Sequence, residues 1–209
     1  MEEYTVRRYS SGKPSSKRDL NPLRPMESVA NFQYGLSCSL NESGEYPILR
    51  MMNYDEELVA ATDLKYADMS EAMAAEFTVR EGDLLFNRTN SAELVGKIGI
   101  FKLPGVYLFA SYLVRVSTNR DQLLPEFLNY FLNSPKGQAA VRAFATPGVS
   151  QANISAGNLK KVLVPVPSLS EQEAAVARLN RISSAHRMAR SHLASQAALF
   201  LSLVNTVVT

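Results

Sequence analysis

The 209-residue chain contains one cysteine, Cys38, and two histidines, His186 and His192. A lone thiol can form no internal disulfide and leaves no thiolate cluster for zinc or iron, so the chain reads as one suited to a reducing compartment, without a structural metal. The histidines stand six apart in a helical segment and so on different faces, whereas a two-histidine metal site wants a spacing of four. Glycine-rich phosphate loops of the dinucleotide and Walker types are missing, and Gly96-Lys97 lacks both the preceding glycine and the following Ser or Thr. So is an Asn-Pro-Pro-aromatic segment, with which a base methyltransferase holds an extruded adenine. No nucleophile stands with a paired base, which disfavours a hydrolase. The longest apolar stretches, 162–167 and 199–208, fall short of the ~20 residues of a bilayer crossing. Residues 1–8 have no apolar segment behind them and do not form a secretory signal. The expectation is a cytoplasmic protein with no catalytic residue, no cofactor and no membrane partner.

What is present is ordinary globular material: 46% apolar and 20% charged residues, which excludes a disordered or low-complexity chain. The net charge of +2 is small, but its distribution is uneven. Residues 1–25 hold six Lys/Arg against three acids, 26–77 two against ten, 78–167 ten against five and 168–209 four against two. A swing of this size suggests one basic and one acidic face, the basic one suited to phosphates; chance fluctuation of surface charge is the other explanation.

Residues 1–26, rich in Ser, Pro, Arg and Lys without apolar periodicity, read as a flexible basic arm. A strand is expected at 46–52, and a short helix at 70–77 with Ser70 as its N-cap. Strands are expected at 84–86, at 94–101 across a polar loop, and at 106–116. Pro125 and the pair Ser134-Pro135 start two neighbouring helices. Residues 145–158 are loop formers, and 162–166 make a last strand. From Ser170, with Glu173 as capping-box partner, nothing breaks the helix to the end. Val176, Leu179, Ser183, His186, Arg190, Leu193, Ala197, Phe200 and Val204 recur at three and four, flanked by Ile182, Ala189, Gln196, Leu199 and Leu203. Such a helix, ~50 Å long at 1.5 Å per residue, outruns a small domain. Its stripe needs a partner helix, unless the segment folds back on its own domain.

The fold expected is therefore α+β: a mixed domain with irregular sheets at 27–168, then a long coiled-coil-type helix at 169–209. Asp55-Glu56-Glu57 reads as a solvated turn. Two polar loops remain, Asn87-Arg88-Thr89-Asn90-Ser91 and Ser150-Gln151-Ala152-Asn153-Ile154-Ser155. Arg makes bidentate contacts with guanine, and Asn or Gln with adenine, but the same residues also brace loops.

Six segments carry a resemblance: Tyr34-Gly35-Leu36-Ser37, Tyr46 to Met51, Glu81 to Ser91, Leu94 to Lys97, Gln151 to Ile154, and Val164 to Gln172. In order and spacing, over about 27–204, the chain resembles the DNA-specificity (S) subunit of Type I restriction-modification systems. That family commonly has two target-recognition domains, each followed by a long helix, in a chain about twice as long; this one resembles a half-length form. The resemblance implies recognition without chemistry. The domain would read part of a double-stranded DNA target through the major groove, and two copies would pair as a homodimer through antiparallel helices that set the gap between half-sites. A modification (methyltransferase) subunit and a restriction subunit would bind S-adenosylmethionine and ATP and do the chemistry. It further implies that Gly82-Asp83 and Pro165 to Gln172 shape the scaffold and dock the modification subunit. Arg88, Asn90, Ser91 and Lys97 are the first candidates for DNA contact, with Arg50, Asn53, Gln151 and Asn153 behind them. Val176, Leu179, Ile182, Ala189, Leu193, Phe200 and Leu203 are the candidates for the dimerisation seam. A scaffold that organises protein partners through its helix and binds no nucleic acid is the alternative; steep salt dependence of binding would separate the two.

Overall fold

The computed structural model describes residues 22–90, 96–147 and 152–208. Its centre is a strand buried at every position, β7 (Leu84–Asn87). Such a near-continuous apolar run befits a strand covered on both faces. Around it a six-stranded sheet forms in the order β2 (Ala30–Tyr34), β11 (Leu113–Thr118), β7, β9 (Ile98–Ile100), β5 (Leu58–Val59) and β4 (Tyr54–Asp55). All neighbours are antiparallel except β5 and β9. On one face, α2 (Pro125–Asn133), α3 (Pro135–Arg142) and α4 (Ala156–Lys160) close a core of Leu84, Phe86, Ile98, Val114, Leu128 and Leu159. On the other lie β3 (Tyr46–Leu49), β6 (Lys65–Ala67), β10 (Leu108–Phe109) and α1 (Glu71–Phe77), around Leu49, Leu85, Phe101 and Phe109.

Local signals explain most of these elements. Ser70 caps α1 by accepting from the Met73 N–H, and Ser134 caps α3 by accepting from the Gly137 N–H. Pro125 and Pro135 occupy first turns, where the missing N–H costs nothing. Gly137 is obligatory at the crossing of α2 and α3, because a Cβ there would come within 2.0 Å of the Phe131 carbonyl oxygen. Gly82 turns into β7 at φ 87°, and the buried Asp83 beside it accepts from the Arg80 N–H and the Ser117 hydroxyl. These two residues have the scaffold role expected of them.

Four expectations need correction. Residues 145–158 are not simply loop: β12 (Thr146–Pro147), β13 (Ala152–Asn153) and the start of α4, capped by Ser155, lie within them. The partner that turns this stretch into sheet is β8 (Thr89–Asn90), some sixty residues away. The basic arm does not extend to 26: β1 (Leu23–Pro25) pairs antiparallel with β14 (Leu163–Pro165), and Met26 is fully buried. Residues 1–21, the rest of that expected arm, lie outside the described residues. The long helix, α5 (Leu169–Val208), starts at the expected boundary, but its capping box is set two residues earlier than expected, at Ser168 and not Ser170. The Ser-x-x-Glu pattern occurs twice in register, and the earlier copy closes: Ser168 N–H donates to Glu171 at 3.0 Å and Glu171 N–H to Ser168 Oγ at 3.4 Å. Early closure brings Gln172 into the first turn, where its fully buried amide accepts from Leu124 N–H and donates to the Gln122 and Pro167 carbonyls, each at 2.8 Å.

The fourth correction concerns the acidic run 55–57, which is not a solvated turn. Asp55, Glu56 and Glu57 form the tip of the β4–β5 hairpin and meet α5. Arg187 pairs with Glu57 at 2.8 Å and Arg190 with Asp55 at 3.0 Å and with Glu56; His186 Nδ1 lies 3.2 Å from Glu56, and the Ser183 hydroxyl bonds Glu57. The two carboxylates hold the Arg190 guanidinium even more firmly protonated than usual. Tyr130 of α2 donates to Asn180 at 2.8 Å. The basic partners lie about 130 residues from the acids, beyond the reach of any local pattern.

Over 40 residues α5 spans ~60 Å at 1.5 Å per residue. Val176 and Leu179, expected in the seam with a second chain, are half-buried on the face turned to the chain's own globule. Ile182, Ala189, Leu193, Phe200 and Leu203 are exposed, Phe200 to 65%. Among the described residues no helix is long and apolar enough to cross a membrane.

Candidate nucleic-acid interface

The described parts of both polar loops singled out in the sequence meet at one end of the large sheet, at the exit of β7. There β8 leaves β7 through Arg88, and β13 returns beside it, pairing Ala152 with Asn90 and Asn153 with Thr89. The Arg88 backbone is held twice, its N–H by the Tyr112 carbonyl at 3.1 Å and its carbonyl by the Ile154 N–H at 2.8 Å. Its guanidinium lies 5.1 Å from the centre of the Tyr34 ring, a cation–π distance, and donates to Asn153 Oδ1 at 3.3 Å. Asn153 in turn donates to the Thr89 hydroxyl at 3.1 Å. Tyr34 is itself fixed, its hydroxyl accepting from the Ala156 N–H at 2.8 Å. Arg88 is thus half-buried on a fixed aromatic ring, with Nε buried and unpartnered.

Lys97 lies at the same end, pairing through its carbonyl with the Asn87 N–H at 2.8 Å, and its ammonium stands 5.4 Å from the Tyr54 ring. Burial pushes the Tyr54 phenol well above its ordinary pKa, so this ring presents a neutral π face to the cation. Arg88 and Lys97 are therefore two cations aligned by aromatic rings at one sheet end. Beyond Tyr112, which is 51% exposed, lies a hollow of about 400 Å³ walled by Leu36, Leu40, Met51 and Met52.

The other candidates divide. Asn90 contributes its backbone to β8, while Ser91 and Gln151 lie outside the described residues. Arg50, on the wall of the hollow, is tied to Asp63 at 2.9 Å. Asn53 is not available to DNA: it is 1% exposed, its Oδ1 accepting from Arg50 N–H at 2.7 Å and its Nδ2 donating to the Thr62 carbonyl. An asparagine between strands satisfies a tight turn as readily as it reads a base, and here the turn takes it. Tyr34 and Tyr112 are residues of this end that the sequence alone does not single out. The signal that could have found them is their place at strand ends, beside loops rich in Arg and Asn.

A model of the Type I restriction modification DNA specificity domain matches residues 29–190, most of the chain. The chain belongs to this family. Its specificity domain is 30% identical over 184 residues to the EcoKI specificity subunit of Escherichia coli strain K12, covering 82% of this chain and 39% of that protein. Among solved structures, it resembles a chain from a type I R-M system with a TM-score of 0.60 at 21% identity, over 82% of this chain and 41% of that one. The HsdS subunit from Thermoanaerobacter tengcongensis gives a TM-score of 0.57 at 18% identity, over 82% and 39%. These likenesses agree with the α+β fold and its long terminal helix. The specificity domain thus spans about two fifths of the length of these relatives.

Proposed function

We propose that this chain reads one half of a bipartite target in double-stranded DNA, docks a methyltransferase (modification) subunit and through it a restriction subunit, and carries out no chemistry itself. The observation that supports this most is the convergence of Arg88, Thr89 and Asn153, from segments sixty residues apart, on one sheet end where Tyr34 orients the guanidinium. An arginine held on an aromatic face enters a groove with few rotamers left to lose, and its 3.3 Å contact with Asn153 is long enough to yield to a guanine edge. Two copies pair through the exposed distal parts of α5, antiparallel, so that the two globules read half-sites at a separation the rods determine.

Comparing the methylomes of hosts with and without the gene tests the reading. A single bipartite motif should disappear with it. In vitro, binding to that site should weaken steeply with salt, and Arg88→Ala should weaken it by ~1–3 kcal/mol while the fold survives. No binding to that site, or a methylome unchanged by deletion, would leave the non-DNA-binding scaffold in its place.

A further inference from the structure

We infer that the acidic tip Asp55-Glu56-Glu57 is a positioning device that fixes the angle between the globule and its long helix, and thereby the spacing at which two half-sites are accepted. The second clause rests on the DNA-reading function proposed above; the first does not. The tip has a firm base: the Glu57 carbonyl accepts from Ile100 N–H of the sheet at 3.0 Å and from the Asn129 amide of α2 at 2.9 Å. Its side chains grip Ser183, His186, Arg187 and Arg190, successive positions on one face of α5. Eleven or more residues back the Gln172 amide makes a second attachment, with the Tyr130–Asn180 hydrogen bond between the two. One attachment leaves a rod free to pivot; two, separated by ~17–27 Å of helix, define an axis.

Glu56 is costly where it stands. In the two-residue hairpin loop its φ is 53°, the left-handed region that such loops usually fill with Gly, Asn or Asp, and its Oε2 is buried without a partner. Hairpin stability alone would favour glycine. A glutamate kept in that conformation is explained by what its Oε1 does, which is to hold Arg190 and face His186. The lever is long. From Gln172 to Phe200 the helix runs ~42 Å, so a tilt of about 5° displaces Phe200 by nearly 4 Å, more than the ~3.4 Å rise of one base pair. Losing the grip should therefore show in spacer choice before it shows in base choice.

The test uses the full chain with a spin label on the native Cys38, which is exposed on the globule, and a second on Ala194→Cys on the rod, diluted in unlabelled protein. The parent should give one narrow distance distribution. Glu56→Gly and the pair Glu57→Gln/Arg187→Gln should broaden it, whereas the exchange Glu57→Arg with Arg187→Glu should narrow it again. In binding to sites whose spacer is one base pair longer or shorter, the broadened variants should lose at least fivefold of the preference for the natural spacer while still choosing the same bases. Distances unchanged in the variants overturn the positioning role, and broadened distances with unchanged spacer preference overturn its link to spacing. If the parent chain selects no DNA site at all, the DNA-reading function fails, and the distances alone decide whether the tip holds the rod.

Discussion

Between Gln172 and Arg190 the long helix is attached to its own globule by a buried amide, a tyrosine hydroxyl and a set of ion pairs, whereas from Ser191 to Val204 every side chain is exposed. The first stretch buries little beyond Val176 and Leu179; the second presents Leu193, Leu199, Phe200, Leu201 and Leu203, each around 60% exposed. Polar, directional contacts specify an orientation, while a broad apolar face rewards burial against whatever fits. The two stretches of one helix thus divide the work. In the proposed assembly the proximal one fixes where the rod points, and the distal one supplies the driving force for pairing with a second chain.

The contrast breaks most visibly in its distal half. Replacing Leu193, Phe200 and Leu203 together by aspartate should abolish self-association at micromolar concentration in sedimentation equilibrium, since burying each such side chain is worth ~1.5–3 kcal/mol. The melting transition of the globule should not move. A dimer that persists would mean that the copies meet elsewhere. Next in size is Gln172→Leu, which removes three hydrogen bonds of the proximal attachment and leaves the Leu124 N–H and two carbonyls unpartnered. A loss of ~2–4 kcal/mol in denaturant unfolding is expected, with self-association intact. The smallest effect sharpens the comparison at the very root of the helix. The Ser168 hydroxyl and N–H hold the Glu171 carboxyl below its ordinary pKa. Because the folded value is the lower one, its contribution is fully present above the ordinary carboxylate range and fades as the pH falls through the depressed value. Glu171→Gln should therefore lower stability most near neutrality and not at all below the depressed value, which flattens the acid limb of the stability profile.

The same division explains what could be read in the sequence. Helices α2 and α3 were legible because Pro125, Ser134 and Pro135 are local signals, and so was the existence of α5, because no residue interrupts it. Its capping residue was ambiguous by two positions, since Ser168 and Ser170 each have a glutamate three residues on. Only the pull of Gln172 toward Leu124 and Gln122 decides between them. The acidic tip was misjudged for a related reason: its partners are arginines some 130 residues away, and a charge run without visible partners looks solvated. At the candidate interface, Arg88 and Asn153 could be named from side-chain chemistry, but their meeting could not, because it depends on two-residue strands that exist only in each other's company. Asn53 shows the converse, a residue type suited to base reading taken up wholly by its own turn.

The pairing of β1 with β14 has one more consequence. Pro22, the first described residue, and Val166, just before the long helix, lie side by side, the Val166 N–H donating to the Pro22 carbonyl at 3.1 Å, so the two ends of the described globule share a single doorway. Everything between them, including the edge offered to a ligand, is a cassette closed by one short zipper. If the proposed roles hold, exchanging that cassette for another with the same doorway and the same acidic tip should replace what is sensed and leave the bearing of the mast unchanged.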